Sequence, residues 1–211
     1  MGSKERRERQ RAETRQKILD AAREMFVRHG YEATTMRAIA RRIEYTPTAI
    51  YHHFRSKDAL LYELCDADFR ALADGFRAAA RVEDPVERLD RIGAAYVDFA
   101  LTHPMHYQLL FMTRRPPLDE LDGAAGRGDP GERAYAFLRQ ACAEAIAAGR
   151  FRPEYGDADE VAQMLWAGMH GIVSLQVTKQ QEEWIEWRDA RRTAARIREV
   201  MSRGLARGPT S

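Results

Sequence analysis

Apolar residues recur at three- and four-residue intervals along most of this chain, with polar residues between them. Ile18, Leu19, Ala22, Met25 and Phe26 make the first such face, which predicts a helix from about Thr14 to His29. Gly30 follows where a residue free to turn left-handed would end it. Residues 1–10 carry no apolar face and are expected to fray. Met36, Ile39, Ala40 and Ile43 repeat the helical spacing behind Thr35, whose hydroxyl can cap the free amides. Thr46 and Pro47 open a third helix, with a capping hydroxyl followed by proline at the first position. It holds Ile50, Tyr51 and Phe54 and is expected to stop near Arg55. Ser56 can cap a fourth, longer helix that turns Leu60, Leu61, Leu64, Phe69, Leu72 and Phe76 inward.

Later starts repeat one device. In Asp84-Pro85-Val86-Glu87 the aspartate caps, proline stands first and glutamate third, and Asp129-Pro130-Gly131-Glu132 has the same order. Negative charge then lies at the positive end of the helix dipole. The helices so opened cover about 85–102 and 130–148. His103-Pro104 breaks the first, and a short apolar helix runs on to about Met112. Residues 114–133 hold four glycines and three prolines, the composition of a mobile loop. Two long helices, about 158–178 and 181–205, close the chain. No strand pattern and no internal repeat emerge. The expected fold is all-α, about nine helices, three short ones in front and six behind.

Composition narrows the class. With 211 residues, 45% hydrophobic and 31% charged, the chain can bury a core and stay in water. No apolar run approaches the ~20 residues that span a bilayer, and the charged N-terminus lacks the apolar stretch of a secretion signal. Cys65 and Cys142 have no metal-ligand spacing and read as buried thiols. A cytoplasmic protein is expected, without membrane association or cofactor. The charge is unevenly spread. Residues 1–57 hold 14 Lys/Arg against 7 Asp/Glu, whereas the remaining 154 hold 20 against 25. A basic front on an acidic body fits a polyanion-binding head, although a solvated helix face gives the same count.

Two short helices joined by a tight turn, with a third in front, make a helix-turn-helix. Ile39, Ala40, Ile43, Ile50 and Phe54 fit its small core, and Ala40 is small where two helices would cross. The second helix then presents Thr46, Pro47, Thr48, Ala49, Tyr51, His52 and His53, which suits a recognition helix in the major groove. Hydroxyls and imidazoles bond bases or phosphates, and the methyls of Thr48 and Ala49 can meet thymine. Lys57 opens the next helix, where a phosphate would be welcome.

The residues "ILDAAREMFVRHGYEATTMRAIARRI" and "TPTAIYHHFRSKDALL", about 18–61, closely resemble the DNA-binding domain of the tetracycline-repressor (TetR) family of transcriptional regulators. The resemblance implies that Thr35 and Arg37 contact phosphate or a base edge. It makes Thr46, Pro47, Thr48 and Ala49 the base-reading positions, Tyr51 and His52 backbone or groove contacts, and Lys57 a phosphate anchor. His53 matches a packed position. The family commonly has glycine in the turn where this chain has Glu44, so a different turn geometry is expected. Residues 1–57, ordered from about 12, are read as the DNA-binding domain, and 58–211 as a helical effector-binding and dimerisation domain.

For the body, the resemblance implies a small-molecule effector and a homodimer. Tyr96, Phe99, Tyr107, Phe111 and Met112 are the first effector-pocket candidates, and plain core packing is the alternative for each. Trp166…His170-Gly171 resembles a subgroup with a Trp-His-Gly signature, which adds Trp166, Met169 and His170 as candidates. "HPMHYQLLF" supports that subgroup. His170 lies four residues after Trp166, on the same helix face. Gly168 and Gly171 would let helices approach closely. Leu165, Ile172, Val173, Trp184, Ile197, Val200 and Met201 are dimer-face candidates, forming a four-helix bundle across a two-fold axis, unless the same stripes pack within one chain. His103, His106 and His170 raise a metal site, but Pro104 interrupts the first two and no cysteine or carboxylate stands at ligand spacing, so no metal is expected.

The function these features imply is a ligand-responsive regulator, most simply a repressor that binds a palindromic operator as a homodimer and leaves it when an apolar or aromatic effector binds. A DNA-binding dimer with a closed core and no effector is the alternative. No nucleophile elbow, phosphate loop or metalloprotease motif supports an enzyme.

Overall fold

Nine α-helices and one 3-10 turn account for the regular structure among the described residues, in a computed structural model that describes residues 3–121, 124 and 127–207. The helices are α1 (Ser3–His29), α2 (Met36–Arg42), α3 (Pro47–Tyr51), α4 (Lys57–Ala79), α5 (Pro85–Thr102), α6 (Pro104–Phe111), α7 (Pro130–Ala147), α8 (Ala158–Lys179) and α9 (Ala190–Leu205). An isolated β-bridge pairs Phe151 with Ala206. The all-α expectation holds. The chain divides into two compact units: Met1–Phe69 with Met105–Pro130, and Arg70–Pro104 with Gly131–Ser211.

In the first unit, Ile18, Ala22, Phe26, Ile39, Ala40 and Ile50 are fully buried and form the core of the three-helix motif. Fully burying each large side chain among them contributes roughly 1.5–3 kcal/mol. The caps are where local chemistry puts them. Thr35 Oγ1 accepts from the Ala38 amide at 3.1 Å, and Thr46 Oγ1 from the Ala49 amide at 3.2 Å. Helix α1, however, begins at Ser3 and not near Thr14. Residues 4–13 are Lys, Glu, Arg, Gln and Ala, all strong helix formers. Lys4–Glu8 (4.0 Å) and Arg9–Glu13 (3.7 Å) add charge pairs one turn apart. Helix α3 ends at Tyr51, earlier than Arg55, because the His53 and Phe54 amides both bond back to the Ile50 carbonyl.

The glycine- and proline-rich stretch is not a bare loop. Leu118–Glu120 forms a 3-10 turn, and Leu118, Leu121 and Ala124 are 0, 6 and 2% exposed. Arg127 donates to Asp66 at 2.9 Å and Tyr62 donates to the Gly128 carbonyl at 3.2 Å, which ties the stretch to α4 within the first unit. Glycine content hid these leucine anchors.

In the second unit, Asp84 caps α5 by accepting from the Val86 and Glu87 amides, both at 2.9 Å, as its sequence predicted. Asp157 does the same for α8. Helix α9 starts at Ala190 rather than 181, because Asp189 caps it, accepting from the Arg192 amide at 2.7 Å. Gly168 on α8 allows α9 to approach, since a Cβ there would sit 2.7 Å from Met201 Sδ. Gly171 meets nothing within 4 Å, so only one of the two glycines serves that crossing.

Candidate nucleic-acid interface

The turn between α2 and α3 decides how the recognition helix is presented. Glu44 has φ 60°, the left-handed conformation expected of glycine. The Tyr45 amide bonds to the Ala40 carbonyl at 2.9 Å and the Glu44 amide to the Arg41 carbonyl at 3.2 Å. That pair is the Schellman pattern closing a helix C-terminus. The expected change of turn geometry therefore does not occur. The carbonyls that the turn satisfies outweigh the strain of a side chain at positive φ.

Along α2 and α3, Thr35, Arg37, Thr46, Thr48, Tyr51 and His52 are exposed, and Pro47 and Ala49 half-buried. Tyr51 retains 52% of its surface. Ile50 between them is fully buried, so the apolar side of α3 is spent on the core and the polar side faces outward. His53 is half-buried with Nδ1 enclosed and unpaired. Burial, then Arg11, Arg15 and His52, hold its pKa below the usual histidine value. Lys57 is half-buried: its Nζ donates to the Tyr31 carbonyl at 2.8 Å and lies 3.9 Å from the Tyr31 ring centre. The Tyr31 hydroxyl in turn bonds Asp58, and burial together with that carboxylate raises its pKa.

Of the effector-pocket candidates, five lie in the second unit. Trp166 Nε1 donates to Tyr96 Oη at 3.2 Å, and Tyr96 Oη is 3.0 Å from His170 Nδ1. Indole can only donate, so the tyrosine oxygen accepts from Trp166, and its bond to His170 Nδ1 runs in the direction that the imidazole tautomer sets. Burial lowers the His170 pKa, which favours the neutral ring. Met169 is buried, and Phe99 packs on the His103 ring at 5.7 Å. The other three candidates belong to the first unit. Tyr107 is fully buried, 5.4 Å from the Phe111 ring, which meets Phe69 edge-on at 5.7 Å, while Met112 is 40% exposed. A surface groove of about 360 Å³ beside α5 and α9 is lined by none of them. Its Arg91, Arg191 and Arg198 are already paired with Glu87, Asp98 and Asp90.

Among the dimer-face candidates, Val173 is fully buried within the single chain and so serves intrachain packing. Ile197 and Met201 are half-buried against Gly168, and Leu165 and Ile172 are half-buried. Trp184 and Val200 are 77 and 69% exposed, and Leu175, on the same apolar stripe of α8, is 52% exposed.

Residues 18–64 match the family model described as bacterial regulatory proteins, tetR family, and residues 89–202 match the tetracyclin repressor-like C-terminal domain. The chain belongs to the TetR family. That family's model is described as one of bacterial regulatory proteins. The HTH-type transcriptional regulator UidR of Escherichia coli is 38% identical over 96 residues, 43% of each chain, so the match spans less than half of that relative. The HTH-type transcriptional regulator Rv1816 of Mycobacterium tuberculosis is 28% identical over 193 residues, 76% of this chain and 79% of that one. The solved structure of the ketosteroid transcriptional regulator KstR2 of M. tuberculosis shares the fold, with a TM-score of 0.72, 21% identity and coverage of 92 and 96%.

In this TetR-family regulator, some residues of the DNA-binding motif escaped the sequence reading. Arg11 and Arg15 stand one turn apart on α1 and act electrostatically on His53 behind the recognition helix. The Arg15 guanidinium lies 4.7 Å over the Phe54 ring and pairs with Glu63. Their spacing one and two turns before Ile18 was the available signal. Tyr31, as the seat of Lys57, had no local signal at all. No helix among the described residues is long and apolar enough to cross a membrane.

Proposed function

We propose that this TetR-family protein is a cytoplasmic repressor that binds a palindromic operator as a homodimer and is released by an apolar or aromatic effector. The DNA contacts are Thr35, Arg37, Tyr51, His52 and Lys57 for the backbone and groove, and Thr46, Pro47, Thr48 and Ala49 for the bases, within a reading domain of residues 1–57. The observation that carries this reading is the division of α3: Ile50 buried, with Thr48, Tyr51 and His52 outward.

Residues 58–211 bind the effector and form the dimer. The exposed Leu175, Val200 and Trp184 support a second copy as the cover for α8 and α9. The hydrogen-bonded Trp166, Tyr96 and His170, with Phe99 and Met169 nearby in the fold of the same unit, support the Trp-His-Gly subgroup and an effector region. There the Trp166–Tyr96–His170 group supplies a polar edge in an otherwise apolar, aromatic region. Tyr107, Phe111 and Met112 remain candidates from the first unit. Effector binding releases DNA only if the ligand favours one of two dimer states.

Selection of the purified chain against random duplex DNA at one stated salt concentration tests this. Enrichment of a two-fold symmetric site is the expected result. Enrichment of a single asymmetric half-site by a monomer would refute the dimer reading, and no enrichment would refute sequence reading by α3.

A further inference from the structure

We propose that Asp68 is a positioning residue for DNA binding: one buried carboxylate that holds α1 to α6 and so fixes the platform on which the helix-turn-helix rests. Asp68, on α4, is 3% exposed. Its Oδ1 accepts from Arg23 Nη2 of α1 at 2.6 Å and lies 2.8 Å from His106 Nδ1 of α6. Facing a carboxylate, that ring nitrogen is the donor. Arg23 is itself only 7% exposed, so this is an ion pair taken almost wholly out of water.

A buried ion pair is a poor way to gain stability, because desolvating both charges offsets their attraction, and apolar residues of the same volume often do as well. What it supplies is direction. Both donors converge on one oxygen, while Asp68 Oδ2 and Arg23 Nε stay buried with no hydrogen-bond partner. The pair therefore sacrifices two potential bonds to keep one geometry, in which α1 and α6 share a single acceptor. Partnerless buried groups are costly, and their presence argues for a constraint other than stability.

The next residue of α1 shows where the constraint leads. Glu24 accepts from Arg42 Nη2 of α2 at 3.1 Å. Consecutive residues of α1 thus reach α4 and α6 on one side and the helix-turn-helix on the other. Helix α2 carries Arg37 and ends in the Glu44 turn that presents α3. A shift of α6 moves the His106 donor, with it the orientation of Asp68 and Arg23, and through α1 the two helices meant for DNA. Tyr107, next to His106, is fully buried, so α6 cannot drift without repacking. The His106 side chain keeps 36% exposure, so removing its hydrogen bond need not open the core.

The test uses the full chain and the duplex that the wild-type protein enriches from a random pool. His106→Leu removes the donor, and His106→Asn restores an N–H close to the position of Nδ1. Asp68→Asn would leave the buried Arg23 with only Asp20, 4.0 Å away, and strongly destabilise the protein, so the two His106 variants carry the experiment. His106→Leu is expected to bind the duplex about tenfold more weakly, the ratio that a hydrogen bond to a charged group corresponds to. The slope of log affinity against log salt stays at the wild-type value, because no phosphate contact is lost. The melting temperature of the Leu variant falls modestly, binding is read well below it, and His106→Asn recovers both. Wild-type affinity in His106→Leu overturns the proposal. So does an Asn variant as weak as the Leu variant, and so does a changed salt slope, which would make His106 a DNA contact instead.

Discussion

Tyr96 and His170, 74 positions apart, meet through a 3.0 Å hydrogen bond between the phenol oxygen and the ring Nδ1. Burial holds the pKa of both His170 and His53 below 6.5 in the folded chain. The unfolded chain therefore takes up these two protons first as pH falls. Their stabilising contribution is complete above about pH 7 and is lost as pH drops through 6.5 toward the folded values. The melting temperature should fall between about pH 7 and 5, and His53→Gln with His170→Gln should flatten that fall. An equally steep decline in the double variant would assign the acid sensitivity to other groups.

Tyr96→Phe removes the hydroxyl that joins Trp166 and His170. It should destabilise the fold by about 1–2 kcal/mol, since two partly buried polar groups lose their partner. Denaturant unfolding measures this. If the region also receives the effector, the same variant should weaken effector-driven release of DNA more than it weakens DNA binding itself.

Glu44 offers the opposite sign. With φ 60° it carries the strain of a Cβ in a left-handed turn. Glu44→Gly should stabilise by about 1 kcal/mol, and it removes a negative charge from the face proposed to meet DNA. Both the melting temperature and the DNA affinity should rise. A lower melting temperature would show that the entropy of glycine outweighs the relieved strain.

Three substitutions on the reading face should separate by kind. Tyr51→Ala should weaken binding to all sequences without altering stability, since its side chain stands half in solvent. Lys57→Ala should weaken binding, reduce the salt slope by about one unit, and also lower the melting temperature, because the Tyr31 carbonyl bond and the ring contact are lost together. An unchanged slope would leave Lys57 as an internal brace only. Thr48→Val should instead change the preferred sequence in a repeated selection. An unaltered preference would mean that α3 enters the groove in another register.

Val200→Arg places a charge where an apolar side chain is 69% exposed. It should leave the single chain folded and shift sedimentation from dimer toward monomer. A wild-type dimer that tolerates Val200→Arg and Trp184→Ala would move the interface away from this face of α9 and the α8–α9 connection.

What could be read from sequence was whatever is decided within a few residues. Thr35, Thr46 and Asp84 cap because a short side chain reaches amides two or three residues on, and Ile50 and Thr48 take opposite sides of α3 by period alone. The reading failed where a local rule met a competing local one. Glutamate at position 44 obeys the hydrogen bonds of the turn rather than its own preference, and residues 4–13 form a helix without any apolar face. It failed again where the partner lies far along the chain. Nothing near Lys57 names the Tyr31 carbonyl as its acceptor. The stripe of Val173, Ile197 and Met201 looks the same whether its partner is the neighbouring helix or another copy. Trp184, Val200 and Leu175 are left uncovered by the packing within one chain.

The Arg23–Asp68 pair also sets an order of events during synthesis. Arg23 leaves the ribosome 45 residues before Asp68, and Asp68 a further 38 before His106. Helices α1 to α3 can collapse early around Ile18, Phe26 and Ile39, but Arg23 then faces only Asp20, 4.0 Å away, and stays partly hydrated. The shared acceptor is therefore assembled in two steps, Arg23 on Asp68 when α4 emerges and the His106 donor only when α6 follows, at about half of the polypeptide.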